Sequence, residues 1–233
     1  WKMFGDLRTL NSLKKVITFI KKFKKNKFKL IYCPPSTLIC PLSKMFKDVS
    51  IDLGAQNCHP SENYGAYTGH INPKMIKGVG AKYIILGHSE NRQLGENDKI
   101  INYKIKTAIK SGLKVIFCIG ETSKEKRKKI TKKILVNQIN KGLNKIKNKK
   151  NILIAYEPVW AIGSGMIPKE SDLFKTINFI KTKVKGAKVL YGGSVNNKNI
   201  ISLKNIDNID GFLIGGASQN SNNLIDIIKK TYN

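Results

Sequence analysis

The sequence predicts an α/β fold on a parallel sheet, and three observations predict it. Short apolar runs recur along the chain. A polar turn and then a helical pattern tend to follow them. Several of the runs are continuously apolar rather than alternating, which is how strands covered on both faces read. In order, the chain opens with Trp1-Lys2-Met3 and a turn. A helix is expected over 9–24, with Leu10, Leu13, Val16, Ile17 and Ile20 at helical spacing. Strands are expected at 28–33, 49–53, 82–86, 113–119, 151–156, 187–191 and 210–214. Further helices are expected at 97–111, 122–146, 169–184 and 221–231. Asn97 before Asp98, and Ser171-Asp172, suit helix starts.

Strand-helix repetition of this kind implies right-handed parallel crossovers in one domain spanning 1–233, with no linker or low-complexity tract. Seven strands fit an open doubly wound sheet. They also fit a closed barrel that lacks one stave. Periodicity does not separate the two. The opening residues read like the segment just after a strand, and the chain begins at Trp1 rather than Met. The barrel reading therefore expects its first strand upstream of Trp1.

The chain has 233 residues, 41% of them hydrophobic and 25% charged, enough apolar material to oppose disorder. Lys and Arg number 43 against 15 Asp and Glu, a formal +28. Such a charge raises nucleic acid or an anionic membrane as partners, and it also attracts an anionic metabolite. The lysines are spread out, as in 21–25, 126–133 and 145–150, and abundant Asn and Ile accompany them. That texture fits solvated faces rather than a dedicated nucleic-acid surface. Cys33, Cys40, Cys58 and Cys118 have no metal or redox spacing, which reads as buried thiols in a reduced compartment. No signal peptide or run of transmembrane length is visible.

Polar residues gather at the carboxyl ends of the runs, where parallel α/β folds place their functional groups. His88 follows 82–86. A neutral imidazole there can donate to an oxygen that gains charge, although a lone histidine is more often a core or loop residue. Glu157 follows 151–156, either as a general base or as a cap or ion-pair partner. The glycine-rich stretch Gly163-Ser164-Gly165 behind it can close over a ligand. Gly192-Gly193-Ser194 and Gly215-Gly216, after the last two runs, can cradle a phosphate with backbone N–H groups and a hydroxyl. Lys2 is either solvated or a cation for a substrate anion. His59 and His70 have no zinc-ligand spacing, and no metal is assigned.

The stretches WKM at 1–3, GAQN at 54–57, GAYTG at 65–69, ILGHSE at 85–90, CIGE at 118–121, AYEPVWAIGSG at 155–165, YGGSV at 191–195 and GGAS at 215–218 resemble the triosephosphate isomerase family in order and spacing, over essentially the whole chain. The resemblance implies a TIM (β/α)8 barrel with its first β-strand missing. It implies interconversion of dihydroxyacetone phosphate and D-glyceraldehyde 3-phosphate without cofactor or metal, in glycolysis and gluconeogenesis, in the cytoplasm. Its known pattern pairs a glutamate base with a neutral histidine, and by motif match these are Glu157 and His88. Lys2 would bind substrate. Gly163, Ser194, Gly215 and Gly216 would hold phosphate, and Glu90 and Cys118 would support the site.

The family is usually a homodimer whose third loop enters the partner's site. Here that loop is 57–72, with Tyr67, Thr68 and Gly69 at its tip. The chain departs from the pattern at Phe4, Asn91, Met166 and His70, in one extra residue within 58–64, and in the Asn expected before Trp1. Two other readings compete: a different phosphate-binding barrel isomerase, disfavoured by 85–90 and 155–165, and a basic nucleic-acid-binding protein, which would need stacking aromatics on a clustered patch. Neither a membrane nor a specific nucleic acid is expected as a partner.

Overall fold

The apolar stripe of the first helix does what its spacing predicts. In α1 (Leu10–Lys22), Leu13 and Val16 are buried, while Leu10, Ile17 and Ile20 pack at the margin of the core. The computed structural model describes residues 1–23 and 28–232. The expected helix end at 24, the lysines at 24 and 25, and the chain terminus at 233 lie outside the described residues.

Seven strands follow: β1 (Leu30–Tyr32), β2 (Ile51–Ala55), β3 (Tyr83–Leu86), β4 (Lys114–Ile119), β5 (Ile152–Tyr156), β6 (Val189–Tyr191) and β7 (Gly211–Phe212). Each pairs in parallel with the next, in the spatial order of the chain. That order decides between the two predicted architectures. A doubly wound sheet reverses strand order at a switch point, whereas a barrel advances one way only. This sheet advances one way and is of the (β/α)8 type, with seven of its eight staves. Among the described residues, β1 and β7 each have one edge without a strand partner.

Alternation explains the continuous apolar runs. Val115, Phe117 and Ile119 of β4, and Ile152, Ile154 and Tyr156 of β5, join the core that includes the helices. Their neighbours Ile116, Cys118, Leu153 and Ala155 join a second cluster with Tyr83, Ile85, Ile31, Leu190 and Leu213. Successive side chains point to opposite faces, and both faces are covered, so the strand is apolar throughout.

The outer layer holds α2 (Ile39–Met45), α3 (Pro73–Gly78), α4 (Ser89–Gln93), α5 (Asp98–Lys110), α6 (Ser123–Arg127), α7 (Thr131–Gly142), α8 (Glu170–Lys183), α9 (Ile200–Lys204) and α10 (Ser221–Tyr232). Asn97 caps α5 as expected, accepting from the Ile100 N–H at 3.0 Å. The helix expected over 122–146 is two helices. Lys129 turns left-handed, at φ +57°. The Lys129 and Ile130 N–H groups then bond back to Lys126 and Glu125, a Schellman closure without its usual glycine. Helix α8 starts at Glu170, with Asp172 inside its first turn rather than before it. Strand bounds also move: the first narrows from 28–33 to Leu30–Tyr32 and the sixth from 187–191 to Val189–Tyr191. The second starts at Ile51, because the Val49 N–H bonds back to Phe46 and closes the turn after α2. The last stops at Phe212, before the chain bends into the 215–216 turn.

Carboxylates are heavily used for pairing. Asp6, Asp52, Glu62, Glu90, Glu96, Asp98, Asp210 and Asp226 each contact a lysine or arginine. Of the four thiols, Cys58 and Cys118 are buried as expected. Cys40 is exposed and Cys33 is half-buried, so burial holds for only two of them.

Candidate active site

Glu157 extends β5 by one residue: its N–H donates to the Ile119 carbonyl at 2.8 Å. Pro158 has no N–H to continue the ladder and keeps the preceding residue out of helical conformation, so the strand ends there. Two glycines let the backbones close around this residue. A Cβ on Gly120 would lie 1.8 Å from the Glu157 carbonyl oxygen, and one on Gly192 would lie 2.7 Å from Glu157 Cγ.

The Glu157 side chain is only 4% exposed, and its Oε2 has no hydrogen-bond partner. Burial pushes its carboxyl above the ordinary range. His88, the Cys118 thiol as hydrogen-bond donor, and Lys2 pull the other way. His88 caps α4 at the end of β3. Its Nδ1 accepts the Glu90 N–H at 3.2 Å, so Nε2 is the ring nitrogen that carries a hydrogen toward the cavity. Nε2 lies 3.4 Å from Glu157 Oε1. Lys2 Nζ sits 2.5 Å from Glu90 Oε1, and the Lys2 carbonyl accepts from Gln56 Nε2 at 2.8 Å. Lys2 itself adopts φ +49°.

One cavity of about 1220 Å³ is lined by Lys2, His88, Glu157, Gly163, Ser194, Gly215 and Gly216. Direct contacts join the predicted residues within it: His88 meets Glu157, Lys2 meets Glu90 and reaches within 3.8 Å of where a Cβ on Gly215 would stand, and the Gly165 N–H beside Gly163 and Ser164 meets Ser194. Glu90 also lines this cavity. Tyr67, Thr68 and Gly69 are not brought to it and stand on the exposed stretch 63–71 of the loop 57–72. Among the described residues no group of three or more His, Cys, Asp or Glu could hold a metal ion.

The sequence model of triosephosphate isomerase matches residues 1–231. The chain belongs to the triosephosphate isomerase family. It is 45% identical over 204 residues to the triosephosphate isomerase of Thermodesulfovibrio yellowstonii, covering 83% of this chain and 82% of that protein. It is 39% identical to that of Dictyoglomus thermophilum, over 98% of this chain and 96% of that one. It also superposes on the crystal structure of triosephosphate isomerase from Bartonella henselae with TM-score 0.89 and 33% identity, covering 99% of this chain and 95% of that structure. As a member of this isomerase family the chain catalyses the interconversion of dihydroxyacetone phosphate and D-glyceraldehyde 3-phosphate.

Around the isomerase cavity lie groups that the sequence reading did not single out. Glu121, 2% exposed at the end of β4, accepts from Trp160 Nε1 at 2.8 Å and from the Tyr156 hydroxyl at 3.1 Å. Its own carbonyl accepts the Val159 N–H at 2.9 Å. Burial raises this carboxyl, opposed first by the Trp160 hydrogen bond. Glu121 is thus the anchor of the segment 158–165. Its position after an apolar run was the available signal. Gln56 is the other omission. It also donates to the Cys33 carbonyl at 2.9 Å and so ties the Lys2 segment to the first strand. At the far end of 158–165, the Gly165 N–H donates to Ser194 Oγ at 3.1 Å, and that hydroxyl donates to the Ala161 carbonyl at 2.5 Å. Gly163 and Gly165 hold φ of +67° and +75°, a region that disfavours side chains.

Proposed function

We propose that Glu157 is the proton-transferring base, His88 the hydrogen-bond donor to the reacting oxygens, and Lys2 the cation beside them. The carrying observation is convergence: a buried carboxylate and an imidazole Nε2 stand 3.4 Å apart in a cavity that also holds Lys2 and the glycine turns. The proton to be removed is acidified by the neighbouring carbonyl. Its loss leaves an enediolate, whose oxygens gain charge. Glu157 takes the proton from one carbon and returns it to the next. A carboxyl raised by burial is better matched to this task near neutral pH than a solvated one. The Nε2–H of His88 and the ammonium of Lys2 meet the developing charge with dipoles already in place. Glu90 and the Cys118 thiol hold Lys2 and Glu157 respectively.

Phosphate belongs at Gly163, Ser194, Gly215 and Gly216. Gly215 and Gly216 open a short helical turn, and backbone N–H groups there suit an anion. The segment 158–165 acts as a lid. Closing it over phosphate excludes water and protects the enediolate from losing phosphate.

The remaining assignments rest on surface and composition. Residues 1–233 act as one domain. A further strand between the unpaired edges of β7 and β1 would close the barrel. Exposed Met3, Phe4, Leu7, Tyr64, Tyr67, Ile71, Met75 and Leu94 support a homodimer, with Thr68 reaching the partner's site. Unpaired thiols support a cytoplasmic location.

A coupled isomerase assay tests the catalytic assignment. Glu157→Gln should lower kcat by about 10² to 10⁴-fold, with an unchanged melting profile. Parental kcat in Glu157→Gln and in His88→Gln would remove both assignments.

A further inference from the structure

Lys126, on α6, lies outside the catalytic cavity and outside the lid. Its Nζ stands 3.1 Å above the centroid of the Trp160 ring. The edge of the same indole donates through Nε1 to Glu121 at 2.8 Å. Trp160 is therefore gripped from two directions by opposite charges, each suited to the part of the ring it meets. A cation favours the electron-rich face, and a carboxylate favours the N–H edge.

Trp160 lies near the start of the lid, and the contacts continue from it. The next residue, Ala161, accepts from Ser194 Oγ, and Ser194 Oγ accepts the Gly165 N–H. The chain of contacts thus runs from Lys126 through the lid root to the hydroxyl assigned to phosphate. Helix α6 is a firm mount for it: Thr122 and Glu125 cap each other at its start, with the Thr122 N–H donating to Glu125 Oε2 at 2.7 Å. Glu121 is buried and cannot be altered without disturbing packing. Lys126 is exposed, so its ammonium can be removed without disturbing packing, although the same charge also lowers the Glu121 carboxyl.

We propose that Lys126 is a positioning residue of the lid: its ammonium on Trp160 favours the lid conformation in which Gly165 is bonded to Ser194, and so sets how readily the lid holds phosphate. The proposal rests on the reading of 158–165 as a lid. Lys128, the exposed residue that closes α6, makes no such ring contact and provides a charge-matched control.

The test measures kcat and KM for the triose phosphates in Lys126→Met, Lys126→Arg and Lys128→Met. Inorganic phosphate is titrated in parallel while the Trp160 indole N–H and Gly165 amide resonances are followed. An exposed cation–π contact shifts a two-state balance by about two- to fivefold. Lys126→Met should weaken phosphate binding and raise KM by that factor, change kcat less, and move the Trp160 resonance. Lys126→Arg should restore all three, and Lys128→Met should match the parent. Unchanged phosphate affinity in Lys126→Met, or an equal loss in Lys128→Met, overturns the proposal. Should phosphate leave the Gly165 and Trp160 signals of the parent unmoved, the lid reading fails and takes the proposal with it. That result differs from one in which the parent responds and the variants respond equally.

Discussion

The central strands β3, β4 and β5 and the edge strands β1 and β7 carry different parts of the site. All four residues of β3 are buried, as are five of six in β4 and four of five in β5. In β1 only Tyr32 is buried, and in β7 neither residue is. The groups proposed to handle the proton sit on the centre: His88 after β3, Cys118 from β4 and Glu157 after β5. The groups proposed to bind the anion extend outward from there, from Gly163 after β5 and Ser194 after β6 to Gly215 and Gly216 after β7 and Lys2, tied through Gln56 to the end of β1. The division follows from tolerance. Proton transfer fails when atoms are misplaced by about 1 Å. A flexible ammonium and a row of N–H groups can follow a phosphate over a wider range.

The contrast can be broken in two ways. The larger effect is on stability. Ile154→Ala, at a fully buried position of β5, should cost about 2–5 kcal/mol. Leu30→Ala, at a half-buried position of β1, should cost about 1 kcal/mol. Denaturant unfolding of both variants gives the comparison, and equal losses would mean that centre and edge are equally set. The next effect is on rate. In Gly192→Ala the added Cβ falls 2.7 Å from Glu157 Cγ and must displace that side chain. A shift of about 1 Å lowers kcat about 10²-fold. Unchanged kcat in a folded Gly192→Ala protein would show that the centre does not hold the base as tightly as argued.

What the sequence made legible follows the same division. β3, β4 and β5 announce themselves as unbroken apolar runs, since both of their faces are covered. The polar residue behind each run marks the mouth of the cavity. The edges were less readable: 210–214 looked like five strand residues, but only Gly211 and Phe212 are regular strand, with the Leu213 N–H still bonded to the Tyr191 carbonyl before the chain bends into the 215–216 turn. The one-way strand order was not legible in periodicity and came only with the family resemblance, because strand order depends on where each helix returns the chain rather than on any local pattern. The break within 122–146 was hidden because a lysine occupies the left-handed position where glycine normally advertises a helix end. Glu121 was passed over for a related reason. Inward-facing and outward-facing carboxylates look alike in sequence, and only the Trp160 and Tyr156 contacts mark this one as an anchor.

The pairing of eight carboxylates with lysine or arginine has a consequence for the molecule as a polyelectrolyte. With a formal +28, those few negative groups are its internal counterions. Arg8 holds Asp6 down to about 2, and Lys230 lowers Asp226. At Asp52 and Glu90 burial works upward, but Lys82 and Lys29, and Lys2, outweigh it. Groups lowered in this way stabilise the fold above the ordinary carboxylate range, and that contribution is lost as pH falls through their folded values. Acid therefore removes the counterions and leaves cations facing one another. Dissolved salt can stand in for them, since repulsion between exposed charges fades beyond about 10 Å at 0.1 M. Calorimetry should find the melting temperature rising with added sodium chloride, most steeply on the acid side of neutrality; a fall would mean that the ion pairs outweigh the repulsion they interrupt.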